Sequence, residues 1–196
     1  DVRHPLDPIT PAEIKALKAI LSDAGFAGPD VRYSYVMLHE PEHKVLNAWH
    51  EGAPIPREIG VLVMDKAANT AREMIVDIPA ARIVHDRMLD AATDGWGPIL
   101  DEDYVAAEHI AKADAEYRAA LARRGITDLD RVRCAPLSAG VFGHSDEVGC
   151  RMIRVLSFLD QEGTHAMFAH PIEGIVAHVD LTHRRVLRLV DTGYLS

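Results

Sequence analysis

A chain of 196 residues, 48% hydrophobic and 26% charged, has room for one domain or two of about 100 residues, each able to bury a core. Its net charge of −9 argues against nucleic acid or anionic lipid as the main partner. No run approaches the roughly 18 apolar residues of a membrane span. The start, Asp-Val-Arg-His-Pro, lacks the apolar stretch of a signal peptide, so a cytoplasmic protein is expected.

Thr10-Pro11-Ala12-Glu13 predicts a helix start, with Thr10 as cap, Pro11 at the first helical position and Glu13 closing a capping box. Ile14, Leu17, Ile20 and Leu21 then fall on one face, and Gly25 with Gly28-Pro29 ends the helix. A strand is expected over 31–38. Pro41 interrupts the chain, and Val45, Leu46 and Trp49 suggest a short helical segment before Gly52. Two strands follow at 58–65 and 70–77, joined by Lys66-Ala67-Ala68-Asn69, with a fourth at 81–85. A helix followed by antiparallel strands makes one complete pair of layers. Residues 86–99, with Asp94-Gly95-Trp96-Gly97-Pro98, read as a linker, so the domains are expected at 1–90 and 91–196.

In the second half Asp101 is placed to cap a helix whose first turn carries Glu102 and Asp103. This helix runs to about Arg124, with a break near Asp114 and Gly125 as C-cap. Strands are expected at 131–137, 149–159 and about 165–170. A final pair comes last, in which Ile175, Ala177, Val179 and Leu181 alternate with Val176, His178 and Asp180. Thr182 and His183 break that alternation, 186–190 resumes it, and Asp191-Thr192-Gly193 stops it. Pro171 belongs before a strand or on an edge, and Gly174 fits a bulge or a close backbone approach. The helix-then-meander plan occurs twice, giving an α+β class.

His39-Glu40-Pro41-Glu42-His43 has the letters of a zinc-protease helix, but Pro41 would clash within a helix containing both histidines. A strand exit with solvated histidines is the better reading. His165, His170, His178 and His183 crowd one segment without a third-ligand spacing, so no metal site is expected. The Gly-rich loop 138–149 lacks the Gly-Lys-Ser/Thr ending of a phosphate loop, and Ser145-Asp146 has no positioned histidine. Asp101/Asp103 and Asp128/Asp130 fit caps and turns. Arg151, Arg154, Arg184, Arg185 and Arg188 read as a solvated, pairing-resistant edge. Cys134 and Cys150, each in an expected strand, read as small buried hydrophobes, with a disulfide across a hairpin as the alternative.

His170-Pro-Ile-Glu-Gly174, Val179-Asp180-Leu181, Val186-Leu187 and Asp191-Thr192-Gly193 resemble the end of the N-terminal region of copper-containing primary amine oxidases. His4-Pro5-Leu6-Asp7 resembles its opening, and 121–129 resembles a helix end between them. The resemblance implies two consecutive cystatin-like domains, each a helix packed on an antiparallel sheet, preceding a catalytic domain. It implies a parent enzyme that uses copper and topaquinone to oxidise primary amines to aldehyde, ammonia and hydrogen peroxide, as a homodimer. This chain lacks the machinery: no Asn-Tyr occurs, and none of its eleven histidines are two apart. No catalytic residue and no cofactor are therefore expected in it. The implied role is to pack on the catalytic domain and shape the substrate-channel mouth. Trp96 and Leu137 fall near the family's channel-lining aromatics, with interdomain core as the alternative for both. An exposed apolar docking patch is a related expectation. The competing functions are a stand-alone small-ligand or protein-binding module and a zinc hydrolase built on His39 and His43.

Overall fold

The computed structural model describes residues 2–140, 142–161 and 166–193. The chain divides into two compact units, residues 1–98 and 99–196. Each contains a four-stranded antiparallel meander and one or more helices.

In the first unit α1 (Pro11–Asp23) starts on a complete capping box: the Thr10 hydroxyl accepts the Glu13 N–H and the Glu13 carboxylate accepts the Thr10 N–H at 2.8 Å. The sheet runs β1 (Val31–His39), β2 (Glu58–Asp65), β3 (Thr70–Asp77) and β4 (Arg82–Met88) in order. A short helix, α2 (His43–Ala48), lies between β1 and β2. Leu17 and Leu21 of α1 are buried with Ile59, Val61, Val63, Met74 and Val76. Each fully buried aliphatic side chain contributes about 1.5–3 kcal/mol. Ile14, expected on the buried face, is 42% exposed. Glu13 is buried instead, because Arg57 meets its charge there.

The expected linker 86–99 is partly strand, since β4 continues to Met88. Its later part lies on the first unit's sheet: a Cβ built at Gly97 would fall 2.9 Å from Met64 Sδ.

The second unit has two helices, α3 (Asp101–Ala113) and α4 (Ala115–Arg123), broken at Asp114, whose carboxylate accepts the Tyr117 N–H at 2.8 Å. Asp101 is the first helical residue, not the cap. The extended residue before α3 is Leu100, which has no side-chain acceptor, and its N–H is taken by Asp103 at 2.9 Å. The sheet runs β5 (Val132–Ser138), β6 (Met152–Leu159), β7 (Ile175–Asp180) and β8 (Arg185–Asp191). Helix residues Ala107, Ala111, Tyr117, Ala120 and Leu121 bury against Val132, Ile153, Val155, Ala177 and Val179. Tyr117 is fully buried, and its hydroxyl shares a 2.6 Å hydrogen bond with Ser157.

Three further expectations need correction. Residues 167–169 form a 3-10 turn, not a strand, while His165 lies outside the described residues. This segment still reaches β6, through Leu159 N–H to His170 O and Ile172 N–H to Ser157 O, each 2.9 Å. β6 begins at Met152, which leaves Cys150 in the preceding turn. The cysteines are both free. Nor are the arginines a uniformly solvated edge: Arg151 is buried on Asp103 at 2.6 Å, and Arg154 and Arg188 reach Glu147 and Asp146 at 2.7 and 2.6 Å. Among the described residues no helix is long and apolar enough to cross a membrane.

Candidate functional site

The residues that carry chemistry fall into two structural clamps and one polar cluster. Arg57, directly before β2, reaches across the first unit to the opening residues. Its Nε donates to Glu13 Oε1 at 2.6 Å, and its remaining nitrogens donate to the carbonyls of Pro5, Asp7 and Pro8 at 2.8–3.2 Å. The His4–Asp7 stretch is further closed by Asp7, which accepts the N–H groups of Arg3 and His4 at 2.7 and 2.9 Å. The Arg57 guanidinium holds the Glu13 carboxyl down at about 2.

Arg124 does the corresponding work in the second unit. Its guanidinium donates to the carbonyls of Glu173, Gly174 and Gly193 and to Asp191 at 2.6 Å. With Arg123 it holds the Asp191 carboxyl well below the usual carboxylate range. Gly174 has φ +70°, and a Cβ there would collide with Gly193 O, so of a bulge and a close backbone approach the second holds. The motifs His4–Asp7, His170–Gly174 and Asp191–Gly193 are therefore gripped at their backbones by two arginines.

The polar cluster covers the outer face of the second sheet. The 3-10 turn Ser145–Glu147 lays Glu147 between Arg154 at 2.7 Å and His178 at 3.2 Å, while Asp146 meets Arg188. Burial opposes ionisation of Glu147, but hydrogen bonds from Arg154 and His178 outweigh it and lower its pKa. Burial, then the Arg154 charge, pushes the His178 pKa down. Next to this cluster Asp180, with no side-chain exposure, accepts from His183 Nδ1 at 2.6 Å, and Cys150 Sγ lies 4.0 Å from the same nitrogen. Burial, then the nearby Asp180 charge, pushes the Cys150 thiol up. Cys134 is pushed up to about 11 by burial beside Tyr117, so neither thiol is an activated nucleophile.

The remaining sequence candidates stay apart. His39 ends β1, 3.8 Å from Glu58, and His43 opens α2, with Pro41 in the connection between them; they do not share a helix. Asp128 accepts the Asp130 N–H in a turn. Trp96, half-buried in the first unit, has an indole N–H with no hydrogen-bond partner among the described residues. Leu137 lies on β5 opposite Arg154 and is 53% exposed, so it is not core of its own unit. No local sequence signal marks Arg57 or Arg124 as a clamp or joins Cys150 to Asp180 and His183. Only strand register brings residues about 30 apart in sequence together, through Met152 facing Asp180.

The donor set does not fit copper with topaquinone. Among the described residues, the one group of three or more His, Cys, Asp or Glu donors close enough for an ion holds a single histidine. No tyrosine of the chain follows an asparagine.

Two family models match in tandem: AGAO-like N2 domain over residues 10–86, and copper amine oxidase N3 domain over residues 102–196. The chain is 36% identical over 191 residues to histamine oxidase of Arthrobacter globiformis, covering 97% of this chain and 28% of that protein. It is 33% identical to the copper-containing amine oxidase gamma 1 of Arabidopsis thaliana and 31% identical to a primary amine oxidase of Klebsiella aerogenes, spanning 26% and 24% of their lengths. A copper-containing benzylamine oxidase from Hansenula polymorpha has a similar fold, with TM-score 0.74 at 17% identity, over 97% of this chain and 30% of that one. The chain thus spans about a quarter of the length of the curated relatives it matches. With both units matched in order, the chain belongs to the copper amine oxidase family, as its paired N2 and N3 domains.

Proposed function

We propose that this chain is the non-catalytic N-terminal region of a copper-containing primary amine oxidase, where it packs on the catalytic domain and shapes the mouth of the substrate channel. The parent oxidises primary amines to aldehyde, ammonia and hydrogen peroxide, carries copper and topaquinone in its catalytic domain, and is a homodimer. One observation carries this reading: amine oxidases align with 97% of this chain, while it spans only 28% of the length of a relative such as histamine oxidase. Exposed apolar side chains support a docking role. Tyr35 and Met37 project from β1 of the first unit, and Leu137, Phe142 and Val148 are exposed in the second, Phe142 at 72%. By the motif resemblance alone, Leu137 and Trp96 are the proposed lining of the channel mouth.

The test is direct. The purified chain, loaded with copper under air and given a primary amine, is expected to develop no quinone absorbance and release no peroxide; either signal overturns the reading. Reading the coding sequence past Ser196 separates it from a stand-alone binding module. In the parent enzyme, Trp96→Ala and Leu137→Arg are expected to change KM about fivefold with kcat little altered, since a doorway acts on entry and not on chemistry. An unchanged KM removes the channel role.

A further inference from the structure

Three donor side chains meet where the turn before β6 touches the β7–β8 hairpin. Cys150 Sγ, an Asp180 carboxylate oxygen and an imidazole nitrogen of His183 all lie within 4.8 Å of one another. We propose that Cys150, Asp180 and His183 form a binding site for a zinc-class divalent cation, with the fourth position open to water.

The arrangement surrounds a point. His183 Nδ1 is 2.6 Å from Asp180 Oδ2 and 4.0 Å from Cys150 Sγ, so a single ring nitrogen faces both partners. A Cys-His-Asp relay divides those two contacts between the two ring nitrogens, one taking the thiol proton and the other held by the carboxylate. Here both contacts converge on one nitrogen, and a single ion replacing the 2.6 Å hydrogen bond would be within reach of all three donors.

The donors select the ion. Thiolate, imidazole and carboxylate together suit zinc, and three protein ligands with a water complete its tetrahedron. The sulfur disfavours magnesium and calcium, which take oxygen ligands. Bonds of about 2.0–2.3 Å place tetrahedral ligands roughly 3.3–3.8 Å apart. The sulfur-to-nitrogen distance must therefore close slightly and the nitrogen-to-oxygen distance open slightly. The residues allow this, because Asp180 is fixed with no side-chain exposure while His183 is 57% exposed in a turn. Coordination forms a metal–sulfur bond and releases the thiol proton to solvent.

The backbone is already set. Arg151 N–H donates to Thr182 Oγ1 and Leu181 N–H donates to Arg151 O, both at 2.9 Å. His183 N–H donates to Asp180 Oδ1 at 3.2 Å. These bonds hold the three ligand-bearing segments together without an ion. Arg185 also faces the group, its Nε 3.5 Å from Asp180 Oδ2 on a 57% exposed side chain, and the Asp146 backbone carbonyl accepts from the Cys150 thiol at 3.9 Å.

The experiment titrates the purified 196-residue chain with zinc by calorimetry and with cobalt(II) as a coloured probe. One equivalent is expected to bind, and cobalt is expected to show a thiolate-to-metal charge-transfer band. Cys150→Ser and His183→Ala alter side chains outside the core, and each is expected to weaken binding at least tenfold. Zinc is expected to raise the melting temperature of the wild-type chain but of neither variant. A cobalt complex without the thiolate band overturns the site, because the ion is then held elsewhere. So does wild-type affinity in either variant.

Discussion

Arg57 enters β2 holding Glu13, the third residue of α1; Arg151 enters β6 holding Asp103, the third residue of α3. In both units the acid also accepts the N–H of the residue that caps its helix. Each unit thus fixes its first helix to its second strand with one buried ion pair at a positive helix end. The difference lies on the outer sheet face. In the first unit β4 is exposed at every position but one, and the connection carrying α2 buries none of that helix's residues. In the second, the β5–β6 connection folds back through Glu147 and Asp146, so that His178 and Asp180 of β7 are buried as well as Ala177 and Val179. The frame is shared, and the polar chemistry collects only where a loop covers the sheet.

Removing one member of each buried pair tests the shared frame and has the largest expected effect. Arg57→Met and Arg151→Met each strand a buried carboxylate and are expected to cost their own unit about 3–5 kcal/mol. Hydrogen exchange read unit by unit checks this, and a loss produced by only one of the two variants breaks the equivalence. Gly174→Ala is expected to cost the second unit about 3 kcal/mol, because it combines a positive φ with a backbone collision. Asn69→Ala, at φ +55° before β3 of the first unit, should cost about 1 kcal/mol by urea denaturation, since there the penalty is only conformational.

Acid sharpens the comparison further. Glu13 has its pKa lowered from 4.5 to about 2, so the stability it contributes is fully present above pH 4.5 and is lost as pH falls through 2. Exchange measured across that window is expected to show the first unit losing about 3 kcal/mol, and Glu13→Gln should flatten the dependence. The smallest effects concern the caps. Thr10→Ala should destabilise α1 by about 1 kcal/mol, whereas Leu100→Ser should stabilise α3 by about 0.5 kcal/mol, since only the first has a side-chain acceptor to lose. Thermal melts of the two variants check the opposite signs.

Much of the fold was legible because its signals are local. The Thr10–Glu13 box, the β2–β3 hairpin over Glu58–Asp65 and Thr70–Asp77, and the helix break at Asp114 stand where capping chemistry and alternation place them. Errors arose where tertiary contact outranks local pattern. Glu13 took a buried position that Ile14 was expected to share, because Arg57 arrives from 44 residues away. Residues 167–169 turned instead of extending, and Cys150 fell into a turn because β6 starts two residues after it.

Local sequence carries the helices, the strands other than the 167–169 turn, the two-fold repetition of helix and meander, and the family to which the motifs point. Periodicity, caps and special backbone angles are written within a few residues of where they act. Tertiary structure alone decided which charges are buried, and that Arg57 and Arg124 grip the very segments carrying the resemblance. It alone brought Cys150 to Asp180 and His183, because strand register joins residues that no local spacing connects.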